Sequence, residues 1–567
     1  MYKFLCEDNK YETYQYVETK TFQPIDTLSI CPKKEKLFVN DVFDYNENNK
    51  TISLVHSNFK SNKMIPGILS LSTTHGKENN KFLYLCKPDD KRIPFFLIPY
   101  TKPFKFDKSI QKIYILFEYK HWKFTHPYGT MKQNLGNINI LVNYYEYILY
   151  CKTLNISIQT FTKEVKQKLQ YKSNKEIIDT ISQKHNLEIR TKKDYYIFTL
   201  DSSKSNDYDD AISYCEKENK LSIYISNVAL IMDELDLWNA FSNRISTIYL
   251  PDKKRTMLPS ALIEMICSLK QKEYKLCYVL DIFYDENKEI KNYQFQCCKA
   301  YIRKNVYYES INEFENNTSF IKILDLLNLR QAKQIVTKLM IMFNHFVGRS
   351  LKNHTNQNGI YKSLYQENVS TKVPQNIPKH IYDHICILKN KSACYSLYNP
   401  SLEYKSIIHN DIEVYAQATS PIRRLVDLLN NIVIINNLTT NKISSRAISF
   451  YDKWTSCENM ENINISSRTI RKIQSKCFIY EQYEKNREKN INPLYKGYVF
   501  DKMYKEGDNK YQYMVYIDIL GLTTSVTLIE ELNNYTCHMF SLYVFMSEEN
   551  DKKKIKLQLC YENKERI

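Results

Sequence analysis

No CxxC pair occurs in the chain, although it holds 15 cysteines. The closest approach is the vicinal pair Cys297-Cys298, and neighbours on a strand point to opposite faces, so these two do not readily share one metal. An odd, scattered cysteine set reads as reduced and mostly buried. No window reaches the roughly 18–20 apolar residues of a membrane span. The opening MYKFLCEDNK carries acid where a secretory leader carries base followed by an apolar run. Together these absences point to a soluble, intracellular, cytoplasmic protein. Glycine is scarce as well, with 9 residues, while Lys, Asn, Ile and Tyr are abundant. That bias resembles AT-rich coding, so single Lys, Asn or Tyr residues carry little weight. Internal repeats and long low-complexity linkers are absent.

What the chain does have is length and positive charge. Its 567 residues are too many for one small core and suggest three or four domains. Apolar residues make up 43% and charged residues 25%, an ordinary globular balance. The formal net charge of +17 suits a polyanionic partner, nucleic acid or an acidic membrane surface, and on charge alone a solvated basic face accounts for it equally well.

Residues 1 to about 150 read as short strands: KLFVNDVFDY, TISLVHSNF, FLYLCKP, RIPFFLIPY and KIYILFEY, with turn-rich pieces between them. Strands at that spacing suggest small barrels or sandwiches. TKEVKQKLQ and KEIIDTISQKHN, between about 150 and 190, read as helices. The middle, to about 480, is mixed α and β. KLSIYISNVAL (220–230) alternates like a strand, and residues 332–351 set Ile335, Leu339, Phe343 and Phe346 on one helical stripe. Strands return from about 492, in KGYVFDKMY, YQYMVYIDIL and TTSVTLI.

The segment TLDSSKSNDYDDAISY (199–214) gathers Asp201, Asp207, Asp209 and Asp210 within ten positions. Carboxylates this close raise one another's pKa unless they are solvated or share cations. Hard oxygen ligands suit Mg²⁺ or Mn²⁺. A calcium loop of the EF-hand kind is excluded, because Asn206 or Ile212 stands where its sixth-position glycine must be. An acidic surface turn is the plainer alternative. The flanks argue against it: YYIFTL precedes and AISYC follows, both apolar.

A second segment, YAQATSPIRRLVDLL (415–429), predicts a helix with Ser420 as N-cap and Pro421 at the first helical position. Arg423 and Arg424 then fall in its first turn, where cations oppose the helix dipole. The placement makes sense if an anion docks there. The alternative is an arginine paired with Asp427.

With these two segments the sequence resembles the RNB exoribonuclease family, of the RNase II and RNase R type. The spaced aspartate followed by D-x-DD is its metal motif. RISTIYLPDKKRTMLPSALIEMICSL (244–269) and TSPIRR (419–424) follow in the family's order. DKRIPFFLI (90–98) and HPYGTMKQNLGN (126–137) are similar to the second cold-shock domain of exosome-associated eukaryotic members, whose N-terminal nuclease domain has no counterpart here. The resemblance implies a multidomain α+β protein, with a central mixed α/β RNB catalytic domain flanked by small OB-fold β-barrels. Residues 1–62 are expected as a degraded cold-shock domain, 63–150 as a second one, and 151–188 as a helical connector. The catalytic domain is expected at 189–485 and a C-terminal OB-type RNA-binding domain at 490–567.

The implied activity is processive 3′-to-5′ hydrolysis of single-stranded RNA to nucleoside 5′-monophosphates. Asp201, Asp207, Asp209 and Asp210 would hold one or two Mg²⁺ ions, with Mn²⁺ as the alternative. Asp209 and Arg423 would be catalytic. Tyr249, Ser420, Arg423 and Arg424 would bind RNA, Tyr249 by stacking on the terminal base. The protein is expected to act as a monomer, away from membranes, or docked on a larger RNA-processing complex.

Several positions depart from the family pattern. Asn227 replaces an aspartate, Asn431 and Ile432 a His-Arg pair, and Gln417 a histidine. Lys338 replaces a glutamate, and Ser202-Ser203 stand where a proline often does. They leave open a second reading, a catalytically weak or inactive RNB-fold RNA-binding regulator.

Overall fold

The computed structural model describes residues 1–25, 28, 30–46, 48–103, 110–329, 332–354, 358–363, 377–389, 394–399, 414–548 and 551–560. Segments 364–376 and 400–413 of the expected catalytic domain, and 561–567 of the C-terminal one, lie outside the described residues.

The first 56 residues form a four-stranded antiparallel sheet. The next segment closes into a barrel of five principal strands. Ile65–Ser70 pairs with both Lys81–Pro88 and Lys112–His121, and Tyr128–Asn137 closes the ring by a parallel pairing with Phe96–Tyr100. This is the oligonucleotide-binding type of barrel. Gly129 is required at its wall: a Cβ there would lie 2.8 Å from the Phe117 ring. The two units share one hydrophobic core, in which Phe38 contacts both Phe96 and Trp122.

The central domain is built on a sheet that curls back on itself. Its long strand Ile290–Tyr307 pairs with Tyr274–Tyr284 and, further along, with Ile197–Asp201. Asp210–Cys215 and Lys220–Ser226 complete the ring. Inside, Arg190 is fully buried and forks onto Asp281, with Nη1 donating to Oδ1 at 2.9 Å and Nη2 to Oδ2 at 2.5 Å. Cys297 and Cys298 belong to different cores, as strand geometry requires.

Outside the sheet pack the helices. Asn174–Lys184 starts at a capping box between Ser173 and Glu176. The expected connector is no free linker: Phe161, Val165, Ile177 and Ile181 share the central core. So do Ile335, Leu339, Phe343 and Phe346 of the helix Ala332–Asn353. One expected element ends early. The strand read over 220–230 stops at Ser226, because Asn227 accepts from the Leu230 N–H and caps a helix from Val228. Lys220–Ser226 is buried on both faces, and the alternation of Leu221, Ile223 and Ile225 breaks at Asn227.

The C-terminal sheet, from Leu494–Lys505 to Lys553–Cys560, repeats the barrel's strand order without the closing pairing. It meets the N-terminal barrel through ion pairs. Asp551 is held by Lys112 at 2.6 Å and Lys87 at 3.0 Å, and Lys552 reaches Asp89 at 2.9 Å. No helix among the described residues is long and apolar enough to cross a membrane.

Candidate active site

The acidic segment lies at one end of the curled sheet. Asp201 is the last residue of its strand and Asp210 the first of the next, so the pairing that builds the sheet also brings these two together. The loop between them is pinned. Glu309 accepts from the Ser203 N–H at 2.9 Å and the Ser202 hydroxyl at 3.0 Å. The Tyr208 N–H donates to the Ser268 hydroxyl.

Asp209 is 3% exposed, and both its oxygens are engaged. Oδ1 accepts from the Ile422 N–H at 3.1 Å and Oδ2 from Arg423 Nε at 2.9 Å. Arg423 Nη2 in turn donates to the Ser420 hydroxyl at 3.0 Å. The guanidinium is thus oriented by two fixed acceptors while its side chain stays 41% exposed at the cleft.

Ser420 is not the N-cap of the long helix, contrary to the sequence reading. Residues 421–423 form a turn in which the Arg423 and Arg424 N–H groups both donate to the Ser420 carbonyl. The helix begins only at Leu425, after an extended Arg424. The extension has a cause: residues 245–247 pair with 423–425 through Thr247 N–H to the Arg423 carbonyl and Leu425 N–H to the Ile245 carbonyl. That stitch sets Tyr249 beside Arg423. Arg424 takes the alternative weighed from sequence, an ion pair to Asp427 at 2.8 Å.

These residues line one cleft of about 550 Å³, together with Lys254, Tyr308, Asn344, Tyr415 and Gln417. Every predicted site residue reaches it: Asp201, Asp207, Asp209, Asp210, Tyr249, Ser420, Arg423 and Arg424. Tyr249 is 43% exposed, and its backbone N–H donates to Gln474 Oε1. Behind Arg423 and Arg424 a second chamber of about 350 Å³ is lined by Lys362, Tyr395 and Arg471.

The electrostatics are those of crowded, buried acid. Burial, with the Asp209 charge beside it, pushes the Asp201 carboxyl up to about 7 despite a hydrogen bond from Thr199. Asp210 is raised well above the carboxylate range by burial and then by Asp201 and Asp209. Burial also raises Asp209, against the pull of Arg423.

The four aspartates do not act alike. Among the described residues no three His, Cys, Asp or Glu side chains come together as a metal-binding group. Two of the aspartates have basic partners: Lys254 Nζ lies 2.9 Å from both oxygens of Asp207, and Asp209 is taken up by Arg423. Asp201 and Asp210 are left without a bonded basic side chain among the described residues. Sequence reading passed over Lys254, although it stands within the quoted IYLPDKK run. Its role depends on the hairpin of Ile248–Tyr249 and Lys254–Arg255, which makes it the direct cross-strand partner of Tyr249.

The departures from the family pattern lie mostly elsewhere. Asn227 and Asn431 both serve the helix from Val228, Asn431 by accepting from the Ala229 N–H at 3.0 Å. Lys338 donates to the Leu327 carbonyl. Of the altered positions only Ser202 and Gln417 face the cleft.

A closed barrel of the oligonucleotide-binding type, set beside a curled α/β domain with an acid-and-guanidinium cleft, defines a multidomain α+β fold of barrel-flanked type. Comparison with known proteins narrows this. Residues 190–328 match the family model of the RNB domain, and residues 83–151 match the Dis3-like cold-shock domain 2. The chain therefore carries an RNB domain preceded by a cold-shock barrel.

Ribonuclease R of Aquifex aeolicus is 32% identical over 113 residues, 19% of this chain and 16% of that protein. The chain thus matches less than a fifth of that relative's length. In fold, it is similar to Mycoplasma genitalium RNase R solved with ribose-methylated single-stranded RNA, with TM-score 0.66 and 15% identity over 98% of this chain and 96% of the other. It is also similar to yeast Ssd1, a pseudonuclease, with TM-score 0.54 and 14% identity over 88% and 69%.

Proposed function

We propose that the chain is a metal-dependent 3′-to-5′ exoribonuclease acting on single-stranded RNA and releasing nucleoside 5′-monophosphates. The observation that carries this reading is the clamp of Arg423 by Asp209 and Ser420 beside two half-buried carboxylates, Asp201 and Asp210, that have no bonded basic side chain among the described residues. A fixed guanidinium whose remaining N–H donors face the cleft suits a phosphate whose charge grows during hydrolysis. Tyr249 offers an exposed ring beside it, and base stacking holds a strand without reading its sequence. The stitch between 245–247 and 423–425 keeps those two grips at fixed separation. The basic surplus draws RNA towards a site whose own acids repel it.

The cleft's donor set fits a hard divalent cation. Its acids are carboxylates, and the residues lining it include no thiol or imidazole. Asp201 and Asp210 would hold Mg²⁺ or Mn²⁺, since Mg²⁺ is commonly held by one or two carboxylates plus waters and substrate phosphate. When bound, such an ion supplies an activated water and charge neutralisation at the phosphate. Asp209 orients Arg423 and keeps its guanidinium charged at the phosphate position.

The test is digestion of 5′-labelled single-stranded RNA with Mg²⁺. Wild type is expected to give mononucleotides and a short end product, and Asp209→Asn to bind RNA but release nothing. The reading fails if neither protein yields mononucleotides. In that case the second reading stands, an RNB-fold RNA-binding regulator, which is favoured by the internal neutralisation of Asp207 by Lys254.

A further inference from the structure

Of the four aspartates in the cleft, Asp207 has the most complete internal partner. Lys254 Nζ sits 2.9 Å from each of its oxygens, a symmetric contact on a carboxylate that is 8% exposed. The lysine is not free to wander. Its hairpin is anchored on one side by Arg255, which pairs with Asp252 at 2.6 Å and with Glu146 of the helix Leu141–Cys151 at 3.2 Å. On the other side the Tyr249 N–H is held by Gln474 of the long helix Cys457–Glu488. Tyr249 and Lys254 face each other in register, so the strand that presents the tyrosine to the cleft fixes the ammonium there too.

An ammonium placed between both oxygens of a carboxylate occupies the position that a cation would take. We infer that Lys254 is a built-in counter-ion that withholds Asp207 from cation binding, so that the cleft binds a single divalent ion, on Asp201 and Asp210. This rests on the nuclease reading above and changes its terms. The positive charge at Asp207 then belongs to the protein, beside that of Arg423. Lys254 is in this sense a positioning residue: it sets which carboxylates remain available.

Direct binding of Mn²⁺ to the full chain without RNA, followed by the loss of the free-ion EPR signal, tests it. Wild type is expected to take up one Mn²⁺, and Asp210→Asn to lose it. Asp207→Asn is expected to keep its one Mn²⁺ site, bound at most about tenfold more weakly because one negative charge is lost nearby. Lys254→Met should gain a second Mn²⁺, or bind the first about tenfold tighter, because one positive charge has been removed and one carboxylate released. Lys254→Arg keeps the charge and should behave as wild type, which separates loss of the counter-ion from loss of the fold. Equal losses in Asp207→Asn and Asp210→Asn would overturn the inference while leaving the nuclease reading in place. So would Lys254→Met binding Mn²⁺ as wild type does. Failure of wild type to bind Mn²⁺ at all would overturn both.

Discussion

At the scale of single residues the site turns on how Arg423 is held. One nitrogen meets Asp209 and another meets Ser420, a pair of contacts that needs a planar fork. Lysine keeps the charge but reaches one acceptor at a time. Arg423→Lys is therefore expected to lower the single-turnover rate by about 10²–10³-fold, the usual cost of losing one aimed donor. RNA affinity measured without divalent ions should change far less. A rate within a few-fold of wild type would show that charge alone suffices. Of the altered family positions, Ser202 and Gln417 line the cleft, while others are engaged elsewhere. Asn227 and Asn431 are engaged in starting a helix, and Lys338 bonds a backbone carbonyl away from the cleft.

At the scale of elements, the curled sheet positions Asp201 and Asp210, and its interior is secured by Arg190 and Asp281. Burial alone would raise the Asp281 carboxyl, but the Arg190 fork and the Ser222 hydroxyl hold it below the usual range. A depressed folded pKa gives stability that is fully present above the unfolded value of about 3.9 and is lost as pH falls through the folded one. Urea unfolding followed by fluorescence should therefore show stability falling below about pH 4 in wild type. Asp281→Asn should be weaker at neutral pH and lose less on acidification. An unchanged acid slope in the variant would assign the loss to other carboxylates.

Elements also mark how far sequence reading carries. Segments with a visible period were legible, among them the stripe Ile335–Leu339–Phe343–Phe346 and most barrel strands. The end of Lys220–Ser226 was not, because the apolar run 228–230 that follows the alternating Leu221, Ile223 and Ile225 looks like more of the same strand. Nor was the late start of the helix at Leu425. Ser420-Pro421 has the composition of a helix start, and only the pairing with residues 245–247, far away in sequence, keeps Arg424 extended. Lys254 escaped notice for the same kind of reason, since the acid it neutralises is 47 positions away.

The whole molecule adds a coupling that neither barrel has alone. Lys87, Lys112 and Lys552 belong to the chain's basic surplus, yet all three are engaged by Asp89 and Asp551 where the cold-shock barrel meets the C-terminal sheet. Added salt then acts at two places. On the proposed RNA-binding reading it displaces the counter-ion advantage of binding, which by itself gives a straight line of log affinity against log salt. It also screens the partly exposed lysines of the contact between the barrels. The line for wild type is therefore expected to steepen at higher salt, and the line for Asp551→Asn to lie lower and straighter. Parallel straight lines would mean that the two barrels hold together without these charges. The joint between the barrels would make ionic strength a control on the protein's shape as well as on its grip, so that an affinity measured at one salt concentration would not describe the same molecule at another.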